Sequence, residues 1–541
     1  MHVLVIGAGP SGLHFSLTAL EKGHKVTMVD VGNKVAPPPL PQSDFIGLKR
    51  ELSDPVEYFL GSDYGGAVLP PPPGTDATEF YGLPPSKDPV FLQPDQYSFI
   101  GKGFSPLHSF AAGGLAECWT GGSYALGDHD LEKFPLDYDE LAPFYSEVAS
   151  RIGVAGVADD LSDHFLMHDN LADPISLDRS SSILLGKYES KRHLLRSKHP
   201  VLMGRSRQAA LSSRLGEREG CSLCGRCLWG CPNGAFYTPS YTLKECLIYP
   251  NFTYESGLFA SHFTVSATGE IKRLTAVPVN GGKERAMKAD RYVLASGALS
   301  TSNIVLRTIW KQRGEKPELT GLMDNRQILA PFLNLPMIGK TYDPNSYQYH
   351  QLALVADLIS SKDQVHGQIT TLTTASAHPV MQQLPVDYNT GRYIFQSLRS
   401  ALGVINLNFS DYRRPDNSVY LDPDQQDQFG WPILRLQYQP APNEKQKLKE
   451  SLRIIGRFMR SIHAPLIPGM AHVRPMGSSV HYAGTLPMSN ESRELTVSPD
   501  CVSHDYGNLL IVDGSVMPDL PAKNLTFTLM ANAVRAASKI L

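Results

Sequence analysis

Four cysteines fall within one short run, CSLCGRCLWGCPNGA: Cys221, Cys224, Cys227 and Cys231. Their spacing is C-x2-C-x2-C-x3-C-P, a pattern that holds cluster irons through thiolates. Paired CxxC steps also suit tetrahedral zinc, and cysteines often do no more than pack as small hydrophobes. Iron–sulfur is the reading expected here, because all four sit in one run that ends in C-P. Zinc and no metal remain as alternatives. The other cysteines, Cys118, Cys246 and Cys501, are scattered. A dense knot beside scattered singles points to a metal or redox site rather than to a disulfide framework.

A second constellation opens the chain. VLVIGAGPSG contains Gly7-x-Gly9-x-x-Gly12 with Ser11 inside it, and Asp30 ends the next apolar run. Glycines allow a tight turn and close backbone approach. The helix N-terminus then faces a pyrophosphate, and the acid takes a ribose hydroxyl. Such a turn can also serve only to pack a helix on a sheet. Here strand, turn, helix, strand and acid stand in order, so dinucleotide binding is expected. The motif alone does not separate FAD from NAD. A third stretch, HSFAAGGLAECWTGGS, places Gly113 and Gly114 before Trp119 and two more glycines after it, as backbone approaching a flat ligand would require.

The C-terminal block makes a resemblance specific. SSVHYAGTLPMS is followed by NLLIVDGSVMPDLPAKNLTFTLMANA, and VLASGALSTSNIVL stands upstream. Together with the first turn and the Gly-Gly…Trp loop, these segments resemble the glucose–methanol–choline family of flavin oxidoreductases. The matched segments are 1–35, 105–126, 221–240, 289–307, 415–438 and 477–541, in the family's order; the middle of the chain matches least. The resemblance implies FAD, with Asp513, Gly514, Asn524 and Thr528 in the closing cofactor segment. It implies a His–Asn pair over the flavin, here His481 and Asn524. A neutral imidazole suits removal of an alcohol's hydroxyl proton, because its pKa lies near working pH. Asn524 can hold the oxygen in register.

Within the family, the cysteine run resembles that of the catalytic subunits of FAD-dependent glucose and fructose dehydrogenases, which carry C-C-x4-C-x3-C-P-I-G-A and a three-iron cluster. Aligning the C-P end places Cys221, Cys227 and Cys231 on the ligand positions. Cys224 departs from the pattern; it is either a fourth ligand of a four-iron cluster or free. A cluster beside a flavin implies electron export to an acceptor protein or small acceptor, hence a dehydrogenase. The alternatives are an oxygen-using alcohol oxidase and a lyase that keeps FAD as a relic. In pyranose oxidase, a relative, the residue before the tryptophan is a histidine bonded to the flavin. The equivalent Cys118 is expected to pack near a non-covalent FAD.

These residues need a scaffold. HVLVI and KVTMV read as buried parallel strands, with Leu13, Leu17 and Leu20 at helical spacing between them. Prolines cluster at 37–41 and 70–73, which blocks regular structure and predicts an extended connection over 36–99. Residues 126–220 read as polar and helical. Alternating runs across 345–440, among them GVINLNFSD, SVYLD and ILRLQYQ, predict a separate, largely antiparallel sheet. The fold class expected is α/β, α+β overall. A Rossmann-like FAD-binding domain (1–35, 100–125, 235–310, 475–541) is interleaved with a substrate domain (126–234, 311–474) built on that sheet. At 541 residues the chain exceeds the ~250–300 at which single cores stop growing, so two units are expected.

Composition excludes other classes. The chain is 42% hydrophobic and 19% charged with a formal net charge of −3, so nothing favours nucleic acid as a partner. No apolar run reaches the ~18 residues of a membrane span. The first apolar run belongs to the glycine-turn strand rather than to a signal peptide, so a cytoplasmic protein is expected. Export beside a signal-bearing partner and oligomer formation stay open.

Overall fold

The computed structural model describes residues 1–35, 37, 42–64, 83–166, 170–358, 363–371 and 385–541. Strand β1 (His2–Ile6), helix α1 (Pro10–Glu21) and strand β2 (Lys25–Val29) form the expected unit. β1 pairs in parallel with β2 on one side and with Arg291–Leu294 on the other; Phe252–Glu255 and Leu509–Ile511 complete a five-stranded parallel sheet. Val3, Val5, Val26, Met28, Val293 and Leu294 are fully buried, as strands covered on both faces require. The C-terminal helix Thr526–Ile540 lies along α1. Lys22 Nζ donates to Ser538 O at 2.5 Å, and His24 Nε2 lies 3.0 Å from Leu541 O, so carbonyls left over at that helix end are satisfied from α1's end.

The second sheet is six-stranded and antiparallel, in the order His472–Val473, Gln327–Leu333, Leu402–Phe409, Gln364–Thr371, Leu352–Asp357, Val201–Arg205. Period-2 alternation divides its faces. Ile328, Phe332, Ile405, Leu407, Val365 and Ile369 pack on one side with Ile455, Phe458 and Met459 of helix Glu444–Ser461. The other face carries Gln327, Leu329, Asn406 and Gln368. Leu329 pairs with Asn406, and Asn406 with Gln368, so these side chains stand in one cross-strand row. A one-residue slip would turn that polar row into the packed core.

The structure departs from the sequence reading in three places. The runs within 402–437 are not one sheet. Leu402–Phe409 joins the six strands, whereas Ser418–Gln426 and Pro432–Gln437 form a four-stranded sheet with Phe99–Lys102 and Glu318–Thr320. The reason is burial: Val419, Leu421, Leu434 and Leu436 belong to the core of the parallel sheet. Residues 45–60 are not extended. Two short helices, Phe45–Glu51 and Pro55–Leu60, form there because Asp44 and Asp54 cap them, accepting from Gly47 N at 2.7 Å and Glu57 N at 2.9 Å. Third, the polar helical stretch 126–220 also contains the strand Val201–Arg205. Pro38, Pro39, Pro41 and Pro70–Pro73 lie outside the described residues.

Gly12 is where the first turn meets α1. A Cβ there would come within 2.1 Å of Gly7 O and 3.1 Å of Ala295 Cβ. Gly12→Ala is expected to cost about 1–3 kcal/mol of stability through overpacking, and to lower dinucleotide retention. Thermal unfolding and bound absorbance after gel filtration check it; an unchanged Tm with full retention would refute this packing role.

Candidate active site

A cavity of about 480 Å³ opens at the carboxyl ends of the parallel strands, lined by Ile6, Val29, Ala295 and Asp513 at or just beyond those ends. Open α/β sheets place ligands there. The polar face of the antiparallel sheet supplies the opposite wall through Gln327, Leu329, Val404, Asn406 and Gln368. The cavity therefore lies between the two sheets, with both contributing side chains.

Gly7, Gly9 and Ser11 line one end. Gly7 has φ +105°, and a Cβ on it would meet Ala295 O at 2.6 Å. Only glycine fits, and the turn aims the free N-terminus of α1 into the cavity. Asp30 lines the same end. Burial pushes its carboxyl up to about 7, opposed by backbone N–H groups of Val31, Ala8 and Gly32 and by the Tyr254 hydroxyl. Gly114, Trp119, Gly514, His481 and Asn524 also line the cavity. Trp119 is held by its indole N–H, which donates to Tyr237 O at 2.8 Å.

Three of the residues expected to bind the dinucleotide are not in the lining. Gly12 packs α1 on the sheet. Gly113, at φ +100°, donates its N–H to Ala8 O at 2.9 Å and so ties the Gly-Gly loop to the first turn. Thr528 Oγ1 lies 2.8 Å from the Tyr145 hydroxyl, on the side of its helix that packs against Tyr138–Ile152. Asp513 lines the cavity, but its oxygens are engaged by the protein. One accepts from Gly297 N at 2.9 Å and Thr301 Oγ1 at 2.5 Å; the other accepts from Ser515 N at 3.0 Å and Oγ at 2.6 Å. It thereby fixes the N-terminus of helix Ala298–Arg313 at the cavity edge.

His481 is buried at the other end, and its Nε2 lies 3.1 Å from Asn524 Nδ2. Its Nδ1 lies 2.9 Å from Asn325 Oδ1, and Asn524 Oδ1 accepts from Gln368 Nε2 at 2.7 Å. Burial, and then the nearby Arg474, push the imidazole down to about 4, so it is neutral near pH 7. Val480, just before it, has φ +58°. A β-branched residue in that region stores strain, a feature that concentrates at functional sites. Asp324 secures the segment, accepting from Gly477 N at 2.7 Å, from His481 N at 3.2 Å and from the Ser479 hydroxyl. Asp324, Asn325 and Gln368 were not singled out in the sequence. Gln368 has a signal, its place in an alternating strand; Asp324 and Asn325 have none, being brought to His481 across 156 residues or more.

The four motif cysteines sit on one loop and are free thiols, like the other three. Cys221, Cys227 and Cys231 pack beside Tyr347 and Phe236. Backbone N–H groups reach three of the sulfurs: Leu223 to Cys221, Arg226 to Cys224, Gln348 to Cys227 at 3.4 Å. Burial, with the neighbouring motif cysteines, drives Cys221 up to about 11 and Cys227 well above its ordinary value. Among the described residues, however, no group of three or more His, Cys, Asp or Glu is gathered as a metal site. Leu228, next to Cys227, lines the cavity. Trp229 is clamped by Phe45, Tyr58 and Phe59 at centroid distances of 5.7, 5.8 and 4.8 Å.

Residues 413–533 match the family described as GMC oxidoreductase. The chain is 23% identical to 2-methyl-1,2-propanediol dehydrogenase of Mycolicibacterium austroafricanum, over 99% of this chain and 94% of that protein. It is 22% identical to the fructose dehydrogenase large subunit of Gluconobacter japonicus, over 100% and 97%. Its fold is that of pyridoxine 4-oxidase from Mesorbium loti, with a TM-score of 0.62 at 14% identity, covering 100% of this chain and 99% of that one. The C-terminal part of the chain thus matches the GMC, or glucose–methanol–choline, oxidoreductase family, and relatives aligned over the whole chain are dehydrogenases and oxidases by name. That likeness implies FAD, and the cavity suits it: a Cβ on Gly7 or Gly514 would strike backbone at 2.6 and 2.4 Å, and the lining residues Asn303 and His108 leave Oδ1 and Nε2 without protein partners.

Cys118 lines the cavity, yet burial pushes its thiol up to about 12. The thiolate is the nucleophile, so attachment to a flavin is disfavoured at neutral pH. Acid precipitation is expected to leave the yellow colour in the supernatant. Colour retained in the pellet and released by Cys118→Ala would make Cys118 the attachment site.

Proposed function

We propose that this enzyme oxidises a CH–OH group of a sugar or sugar-like polyol to a carbonyl, and that its electrons leave to an external acceptor. The observation that carries the reading is that His481 and Asn524 share one cavity with the glycine cradle and Asp30. Bound FAD supplies the two-electron acceptor for the carbinol hydrogen. Gly7, Gly9, Ser11 and Asp30 would hold its diphosphate and ribose, and Gly114, Trp119 and Gly514 its further contacts. His481 takes the hydroxyl proton at Nε2. Asn524 donates an amide N–H to the substrate oxygen as negative charge builds on it. Asn406, on the opposite wall, has an Oδ1 without a protein partner and offers its amide to a further hydroxyl, which favours a polyol over a plain hydrocarbon alcohol.

The same reading includes an iron–sulfur cluster, of three or four irons, at Cys221, Cys224, Cys227 and Cys231. The support is the motif spacing, the backbone N–H groups on the sulfurs and a fructose dehydrogenase subunit among the relatives. Such a cluster passes electrons singly, and the loop that would carry it reaches the cavity wall at Leu228.

Anaerobically purified protein is expected to hold FAD together with iron and acid-labile sulfide. Cys227→Ser should lose iron, keep flavin bleaching by substrate, and deliver electrons poorly to a one-electron acceptor. Wild-type protein with FAD but no iron, or with zinc, would sink the cluster. His481→Ala should retain FAD while flavin reduction falls by about 10²–10⁴. Anaerobic stopped-flow bleaching with sugars and polyols reads it; unchanged bleaching would move the chemistry away from His481.

A further inference from the structure

The hydrogen bonds around His481 have a direction. Asn325 Nδ2 lies 2.8 Å from Phe409 O and 3.0 Å from Pro521 O. Backbone carbonyls only accept, so the amide nitrogen of Asn325 must face them, and its oxygen must face His481 Nδ1. An amide oxygen only accepts, so Nδ1 must carry the proton. Nε2 of the neutral ring is then the acceptor. It requires the nitrogen of Asn524 opposite it, which turns Asn524 Oδ1 toward Gln368 Nε2. Two backbone carbonyls thus set every donor along four side chains.

We propose that Asn325 is a positioning residue that locks His481 in the Nδ1-protonated tautomer, so that Nε2 alone exchanges protons with the substrate. The proposal rests on His481 being the base of the proposed reaction. It gives the proton one route. The substrate O–H bond breaks and the Nε2–H bond forms; Nδ1 keeps its own proton, because the carboxamide oxygen of Asn325 is no proton carrier. The proton taken at Nε2 must therefore return through the cavity. Hydrogen-bond partners of this kind commonly fix which imidazole nitrogen reacts. The charged and titratable groups facing the ring are Arg474, Asp324, which accepts from the His481 N–H, and His366 with Lys523 behind it. None of these bonds Nδ1; the partner there is Asn325.

The test reads the tautomer before it reads activity. In FAD-loaded protein carrying ¹⁵N-histidine, the His481 signals are identified by their loss in His481→Ala. At pH 7 Nδ1 is expected to be pyrrole-type and Nε2 pyridine-type. The reverse assignment, or an even mixture, overturns the proposal, whether or not any alcohol bleaches the flavin. Asn325→Leu is expected to release the tautomer and slow flavin reduction by about 10²–10⁴, the scale of a wrong-tautomer defect. Asn325→Asp keeps an acceptor at Nδ1 and, while its carboxyl is protonated on the oxygen facing Phe409 O and Pro521 O, keeps a donor there too. It should recover much of that loss where the carboxyl is protonated, and lose the recovery as rising pH ionises it against those carbonyls, a pH dependence the Leu variant lacks. Equal rates in the Leu and Asp variants, with one shared pH profile, also overturn it.

Discussion

The site depends on one constraint: buried polar groups must be paired. Asn325 sits just before the strand Gln327–Leu333, where the antiparallel sheet meets the segment that carries His481. Its amide bonds the end of Leu402–Phe409 through Phe409 O and the segment before the C-terminal helix through Pro521 O. One side chain therefore joins both walls of the cavity and the imidazole between them. Leaving such a group unpaired costs about 1–3 kcal/mol, so the arrangement is both a structural seam and an orienting device. Asp324 does the same for the backbone, drawing Gly477, Ser479 and His481 to one carboxylate.

Register does the rest. Because strand side chains alternate, the residues that bury Ile405 and Leu407 under the helix Glu444–Ser461 necessarily present Asn406 to the cavity. This cavity wall is thus a by-product of how the sheet packs. On the other side, Asp513 plays the matching part, tying Gly297 and Thr301 to the last parallel strand and so holding a helix N-terminus at the cavity edge.

The cysteine loop is built into this frame rather than appended to it. Gly225, at φ +70°, leaves no room for a Cβ against Pro344 O, and Arg226 is wholly buried, with Nη1 donating to Ser43 O at 3.1 Å. The loop is held between the helix pair at 45–60 and the segment that carries Tyr347 and Tyr349. Tyr349 also lines the cavity.

The sequence by itself determined the elements whose physics is local. Gly7 and Gly12 define a turn in which a Cβ would strike backbone, and β1 and β2 are continuous apolar runs. It also carried the family likeness, and with it His481 and Asn524, because motifs keep their order along a chain. Tertiary structure decided what depends on contact between distant segments. It assigned Ser418–Gln426 and Pro432–Gln437 to a different sheet from Leu402–Phe409, since alternation shows that a strand has a buried face but not which core covers it. It turned Thr528 toward Tyr145 and away from the cavity. It brought Asn325 to His481, a pairing no spacing announces, because a hydrogen bond's direction is set by its partners, and those partners meet only when the chain has folded.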